Sequence, residues 1–230
     1  MQNKEILNIT DKINDFVQKN RIMIFIVIGV IVLLFAGLIA FLSISEYLNK
    51  KAIAEVEELT ERFEGIRISI DDENYQNDVN ALLAELEAFA GKNSGFPGSK
   101  AWSLAANIYS IRNEWQKAEE SWLNSARTGN KTYLAPIAFF QAAVAAEEQN
   151  KLEQAISYLQ QCVSHSFEFP DAPRAQFNIG RLYEQLGNIP AALEAYRAVL
   201  INWQWSETLN PNMLVWQNFA RNQIIKLEVR

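Results

Sequence analysis

The sequence predicts an all-α protein: one N-terminal membrane-crossing helix followed by a superhelix of stacked helical hairpins. Two observations carry that expectation. Residues 22–45, IMIFIVIGVIVLLFAGLIAFLSIS, contain no charged side chain. Further along, a frame of small and large apolar residues returns every 37 positions. The first is long enough to cross a bilayer as a helix. The second is the mark of a repeat architecture, in which each unit buries its apolar stripe only against its neighbours.

In chain order, residues 1–21 read as a short cytoplasmic tail. Ile6, Ile9, Ile13 and Phe16 fall at helical spacing there, so the tail either lies on the inner membrane face or hangs free. Residues 22–45 form the transmembrane signal-anchor. The uncharged run is longer than the apolar core of a cleaved signal peptide, and no A-x-A site follows it. Lys4, Lys12, Lys19 and Arg21 precede it, against Lys50, Lys51 and Arg62 after it, a slight bias toward a cytoplasmic N-terminus. Residues 46–98 form a membrane-proximal hairpin and linker. Its first helix continues the anchor, and its second carries Val79, Leu82, Leu83, Leu86 and Phe89 on one face. The stretch GKNSGFPGS (91–99) is expected to be a loop, since it holds three Gly and one Pro. Residues 99–205 hold three repeats. Residues 206–230 hold a capping helix that Asn210-Pro211 opens and that hides the last apolar face.

The repeat frame is set by Ala118, Ala155 and Ala192. Twelve residues before each stands a small residue (Ala106, Ala143, Gly180), and four after each a large one (Trp122, Leu159, Tyr196). Three before stand Trp115, Leu152 and Ile189; nine before stand Tyr109, Ala146 and Tyr183. Five before, at the turn, stand Asn113, Asn150 and Gly187, residue types that tolerate a left-handed helix end. Small residues let paired helices approach closely, and the large ones fill the space beside them.

This pattern resembles the tetratricopeptide repeat (TPR), with its small residue at position 8, Ala at position 20 and large apolar residues at 4, 7, 11, 17 and 24. Trp102, Phe139 and Gln176 stand at position 4 of the three units. The period is 37 rather than the family's 34. Asn130, Phe167 and Gln204 replace the usual Pro near position 32, and Pro136, Pro170 and Pro173 cluster around the next unit's start instead. The resemblance implies a groove lined by the first helix of each unit. It points to Asn107, Phe140, Gln141, Val144, Arg174, Phe177, Asn178 and Arg181 as partner-binding residues. In that reading Phe140 and Phe177 are exposed beside Arg181, Gln141 and Asn178; the alternative makes both rings core between units. The subfamily that grips a C-terminal carboxylate is matched only at Asn107, with Arg174 as a basic substitute, so a chaperone-tail clamp is not expected.

Composition narrows the function. Residues 46–230 hold 17 Lys/Arg against 24 Asp/Glu, a net charge of −7, which argues against nucleic acid. There is one His (His165) and one Cys (Cys162), too few for a zinc site, and nothing in the sequence sets that His against a nucleophile and an orienting acid as a triad requires. No P-loop motif is present, and the acidic pairs Glu119-Glu120, Glu147-Glu148 and Asp71-Asp72 read as solvated faces. No catalytic residue, metal site, cofactor or small-molecule substrate is expected. The layout of anchor, acid-rich helix, degenerate hairpin and repeats resembles the YfgM-like family of bacterial inner-membrane proteins. That resemblance implies a periplasmic C-terminal domain and a non-enzymatic adaptor for translocon subunits, periplasmic chaperones or client peptides. The alternative is a structural subunit of an envelope complex, with Trp203, Trp205 and Trp216 in permanent contacts.

Overall fold

The computed structural model describes residues 2–68, 74–165, 169–203 and 211–229, with side chains from residue 16 onward apart from positions 68, 211 and 212. The expectations for Ile6, Ile9, Ile13, Asp71-Asp72, Phe167, Gln204 and Trp205 lie outside the described side chains. Among the described residues every regular element is a helix: α1 (Gln2–Ile68), α2 (Tyr75–Lys92), α3 (Gly95–Ile111), α4 (Trp115–Thr128), α5 (Leu134–Glu148), α6 (Leu152–His165), α7 (Ala172–Gln185), α8 (Ile189–Asn202) and α9 (Pro211–Glu228). The chain divides into two units, Met1–Lys51 and Ala52–Arg230.

The first unit is helix alone. Its uncharged stretch is apolar all round, from Ile22 to Ile44, and every large side chain there except the half-buried Ile24 is exposed. A helix of this kind that is buried in nothing is long and apolar enough to cross a membrane.

The second unit is built from hairpins. Consecutive helices pack in turn from α2 to α9, and α3 also meets α5, as α7 meets α9. The first hairpin is formed as its pattern requires. Ala52, Val56, Leu59 and Phe63 share one core with Val79, Leu82, Leu83 and Leu86 of α2 and with Ala101, Leu104 and Ile108 of α3. A second core runs from Ala106 and Trp122 to Leu182 and Trp203, and a third joins Phe177, Ala192, Tyr196 and Val199 to Ala220 and Leu227 of α9.

The three central turns are copies of one another. Asn113, Asn150 and Gly187 are all left-handed, at φ 57°, 58° and 73°. The amides of Glu114, Lys151 and Asn188 donate back to the carbonyls of Tyr109, Ala146 and Tyr183, each at 2.9 Å. Those bonds satisfy carbonyls that the end of the first helix leaves open. One turn later the amides of Ala118, Ala155 and Ala192 donate to the carbonyls of Glu114, Lys151 and Asn188, each at 3.0 Å, and start the second helix. All three alanines are fully buried. Pro190 and Pro173 sit in the first turns of α8 and α7, where a missing N–H costs nothing.

One expectation is corrected here. The stretch 91–99 is not a loop: only Asn93 and Ser94 are non-helical, and Gly-Phe-Pro-Gly-Ser opens α3. Gly95 takes the left-handed conformation that turns the chain, and Pro97 falls in the first turn. Gly98 lies against the Asn93 carbonyl and Thr128, and Gly129 against Ser99, so these glycines allow close packing of α3 and α4. The last helix is α9. It covers Phe177 and Tyr196, but its own outward face leaves Leu214, Val215, Phe219 and Ile225 exposed.

Candidate functional site

The expected groove residues lie on α3, α5 and α7, the first helices of the three units. Asn107 is exposed on α3. Val144 is 39% exposed on α5, and Gln141 is half-buried beside it. On α7, Arg174 is exposed, and Asn178 and Arg181 are half-buried.

The two phenylalanines are not the exposed rings the groove reading requires. Phe140 is 7% exposed and Phe177 is 9% exposed. Their neighbours cover them. The Arg174 guanidinium lies 4.8 Å from the centre of the Phe140 ring. Phe177 packs against Tyr196 (5.2 Å between ring centres), Trp216 (5.5 Å) and Phe219 (6.1 Å). The same Arg174 sits 5.8 Å from the Trp216 ring. Arg174 thus stands between an aromatic ring of α5 and one of α9. Among the described residues no carboxylate pairs with it, although most Lys and Arg nearby are paired. Stacking over rings holds a guanidinium plane while its in-plane N–H groups stay free to donate.

Arg181 is placed differently. It donates to both carboxylate oxygens of Glu147 on α5, at 2.7 and 2.6 Å, and its Nε reaches Asn178 Oδ1 at 3.3 Å. The hydrogen bond to Glu147 raises the guanidinium's pKa against a smaller opposing effect of burial. This two-pronged pair ties α5 to α7 and neutralises both charges. Arg181 therefore presents little free charge.

The structure gathers these residues into two groups: Phe140, Arg174 and Phe177 around Trp216, and Asn178 with Arg181 on Glu147. It leaves Asn107 and Val144 as separate exposed positions. Sequence reading missed Trp216 and Phe219 as members of the first group and Glu147 as a member of the second. Glu147 lies 34 residues before Arg181, close to one repeat period, and that spacing was the available signal. Glu119 is a related correction. It is 5% exposed, not solvated, and accepts from Tyr158 Oη (2.8 Å), Gln149 Nε2 (2.8 Å) and Lys151 Nζ (3.0 Å). That cluster joins α4 to the α5–α6 turn. Burial pushes the Tyr158 hydroxyl up to about 12, with the Glu119 carboxylate adding to it.

The remaining reactive groups are occupied structurally. Cys162 is fully buried in the core, and burial raises its thiol to about 12. His165 Nε2 donates to the Asn130 carbonyl at 2.7 Å and closes the turn between α4 and α5. Among the described residues no group of three His, Cys, Asp or Glu side chains could hold a metal ion.

Hairpins of this geometry, closed by one repeated turn and packed through small residues, define a TPR-like helical-repeat domain. Residues 140–204 match the tetratricopeptide repeat family model. The chain is 37% identical over 119 residues to a TPR repeat-containing protein of Treponema pallidum (strain Nichols); the match covers 51% of this chain and about half (49%) of the relative's length. Among solved structures, it is similar to the nearly identical TPR-like repeats of a Podosopora anserina kinesin light chain and to a single-substitution variant of them. Each aligns with a TM-score of 0.50 at 17% identity, over 75% of this chain and 91% of the other. That likeness concerns the fold. A fold of this class typically serves as a non-catalytic scaffold for protein–protein interaction.

Proposed function

We propose that this protein is a membrane-anchored TPR adaptor that binds protein partners through the face of α3, α5 and α7. Residues 22–45 hold it in the bacterial inner membrane, with the repeat domain in the periplasm. Its partners are translocon subunits, periplasmic chaperones or client peptides, and it works in protein export or folding. The layout shared with YfgM-like proteins supports that placement. In this reading it catalyses nothing and needs no cofactor, nucleic acid or small-molecule substrate. The single observation that carries the binding reading is Arg174. Its guanidinium lies 4.8 Å from the Phe140 ring centre and 5.8 Å from that of Trp216, with no described carboxylate on it, and Val144 is a separate exposed position on α5. Arg beside aromatic rings is a common carrier of interface energy. A partner carboxylate meeting those donors would gain a charge-assisted bond at little ordering cost.

The test is photo-crosslinking in intact cells. The probe replaces Val144, because Phe140 is too buried to report on a partner. A control probe replaces Glu194, exposed on α8. Translocon subunits or folding factors captured at 144 and not at 194 support the adaptor. One envelope subunit captured equally at both positions identifies a structural subunit instead. Capture at 194 alone refutes the face.

A further inference from the structure

The outward face of α9 gathers four exposed large apolar side chains on one helix. Leu214, Val215, Phe219 and Ile225 are 40–56% exposed along it. Asn218 and Asn222 lie between them, also exposed. The strip of these six side chains holds no formal charge; Arg221 borders it and donates to Asn218 Oδ1 at 3.1 Å. The charges at its far end are largely neutralised within the molecule: Glu228 by Arg197 at 2.6 Å and Lys226 by Glu184 at 3.9 Å. An 18-residue helix is a strip about 27 Å long.

We propose that this strip is a homotypic interface, occupied by α9 of a second copy of the chain around a two-fold axis. Three observations favour a second copy over another occupant. First, residues 46–230 carry a net charge of −7, so most faces of two copies repel, and this strip is a neutral exception. Second, its composition complements itself. Apolar side chains meet apolar side chains, and the Asn amides carry both donors and acceptors, so Asn218 and Asn222 can satisfy each other across the axis. A partner chosen by charge has little here to read. Third, two helices packed along such strips bury on the order of 1,000 Å² in total, the lower bound of a specific interface. The pairing shares Phe219 with the cluster at Phe177 and Trp216 but includes neither Arg174 nor Val144. Each dimer would therefore offer two binding faces, which raises avidity for a partner with two contact sites.

The experiment uses the whole chain in detergent micelles with Asn222→Cys. The native Cys162 is fully buried, so position 222 supplies the reactive thiol. A short bis-maleimide is expected to give a species of twice the chain's mass. The same reagent on Glu194→Cys, on α8, is expected to give none. Adding Val215→Glu, at an already exposed position, places like charges across the axis and should reduce the 222 dimer at least tenfold. Light scattering should report the matching shift from dimer to monomer. The proposal is overturned if the 222 thiol gives no dimer and light scattering gives a monomer. It is equally overturned if Val215→Glu leaves the yield unchanged, or if 194 crosslinks as well as 222, which would assign the proximity to the anchor. Capture of a different protein at 222 in intact cells overturns it in favour of another occupant.

Discussion

Replacing Gly180 by Ala separates a glycine that the fold requires from one it merely tolerates. A Cβ at Gly180 would lie 2.6 Å from both Cδ1 and Cε1 of Tyr196 and 3.0 Å from its Cζ. Carbon atoms in contact sit about 3.5–4.0 Å apart, so the ring would have to retreat by roughly 1 Å. It has nowhere to go. Tyr196 is fully buried, Phe177 packs 5.2 Å away ring to ring, and the Tyr196 hydroxyl donates to Glu184 Oε2 at 3.2 Å. Overpacking of this kind costs about 1–3 kcal/mol. Gly→Ala within a helix returns about 1 kcal/mol of propensity. The net expectation is a loss of about 1 kcal/mol, a fall in Tm of about 2–4 °C for a unit of this size. Gly180→Leu, with far more volume to place, should prevent α7 and α8 from closing at all. The control is Gly91→Ala on α2, where an added Cβ meets nothing within 4 Å; it should gain up to about 1 kcal/mol from propensity alone. The assay is thermal unfolding followed by far-ultraviolet circular dichroism, with the whole chain in micelles. If Gly180→Ala melts at or above the wild type, in step with Gly91→Ala, the close contact of α7 and α8 at this point is refuted, and with it the repeat frame.

Three further outcomes are expected. Phe140→Ala should cost about 3–5 kcal/mol in thermal or urea unfolding, because the ring is core rather than groove; an unchanged Tm would return Phe140 to the binding face. Arg181→Glu should lower the Tm by setting two carboxylates against each other, and adding Glu147→Arg should restore most of the loss, as read in a double-mutant thermal series. Alkaline pH should destabilise the domain: burial holds the Cys162 thiol and the Tyr158 hydroxyl at about 12, above ordinary values of 9.0 and 10.0. A raised folded value stabilises fully below the unfolded one, so this contribution is lost from about pH 9 to 12, and tyrosinate absorbance should rise together with the fall in the urea midpoint.

The repeat was legible because close packing leaves few choices. A residue facing a partner helix at short range must be small, so Ala106, Ala143 and Gly180 recur, and the left-handed turn restricts Asn113, Asn150 and Gly187 in the same way. The 91–99 stretch was misread for the opposite reason. Gly and Pro mark a loop only when nothing else explains them. Here Pro97 occupies a first turn, and Gly98 makes room for the Asn93 carbonyl and Thr128, a tertiary contact that local composition does not encode. Glu119 was misread because its partners, Gln149, Lys151 and Tyr158, lie 30, 32 and 39 residues ahead in the next hairpin.

The face of α3, α5 and α7 shows where a repeat motif stops predicting function. Motif positions say which side of a helix a residue occupies, not how much of it a neighbouring unit covers. Phe140 and Phe177 stand at the same motif position, and each is covered from the following helix pair, one by Arg174 and the other by Trp216 and Phe219 of α9. Because α9 is not part of the 37-residue frame, its contribution could not be read from the repeat. The same covering redistributes the charges. Arg181 and Arg174 are seven residues apart on one helix, yet Glu147 neutralises the first, whereas the second is flanked by rings and keeps its donors. Under the proposed function, recognition by this face would rest on Arg174 rather than on Phe140 and Phe177, which are buried. Arg174→Ala should weaken partner capture at Val144 while removing only two ring contacts from the fold. Unchanged capture would move the binding energy elsewhere on the domain.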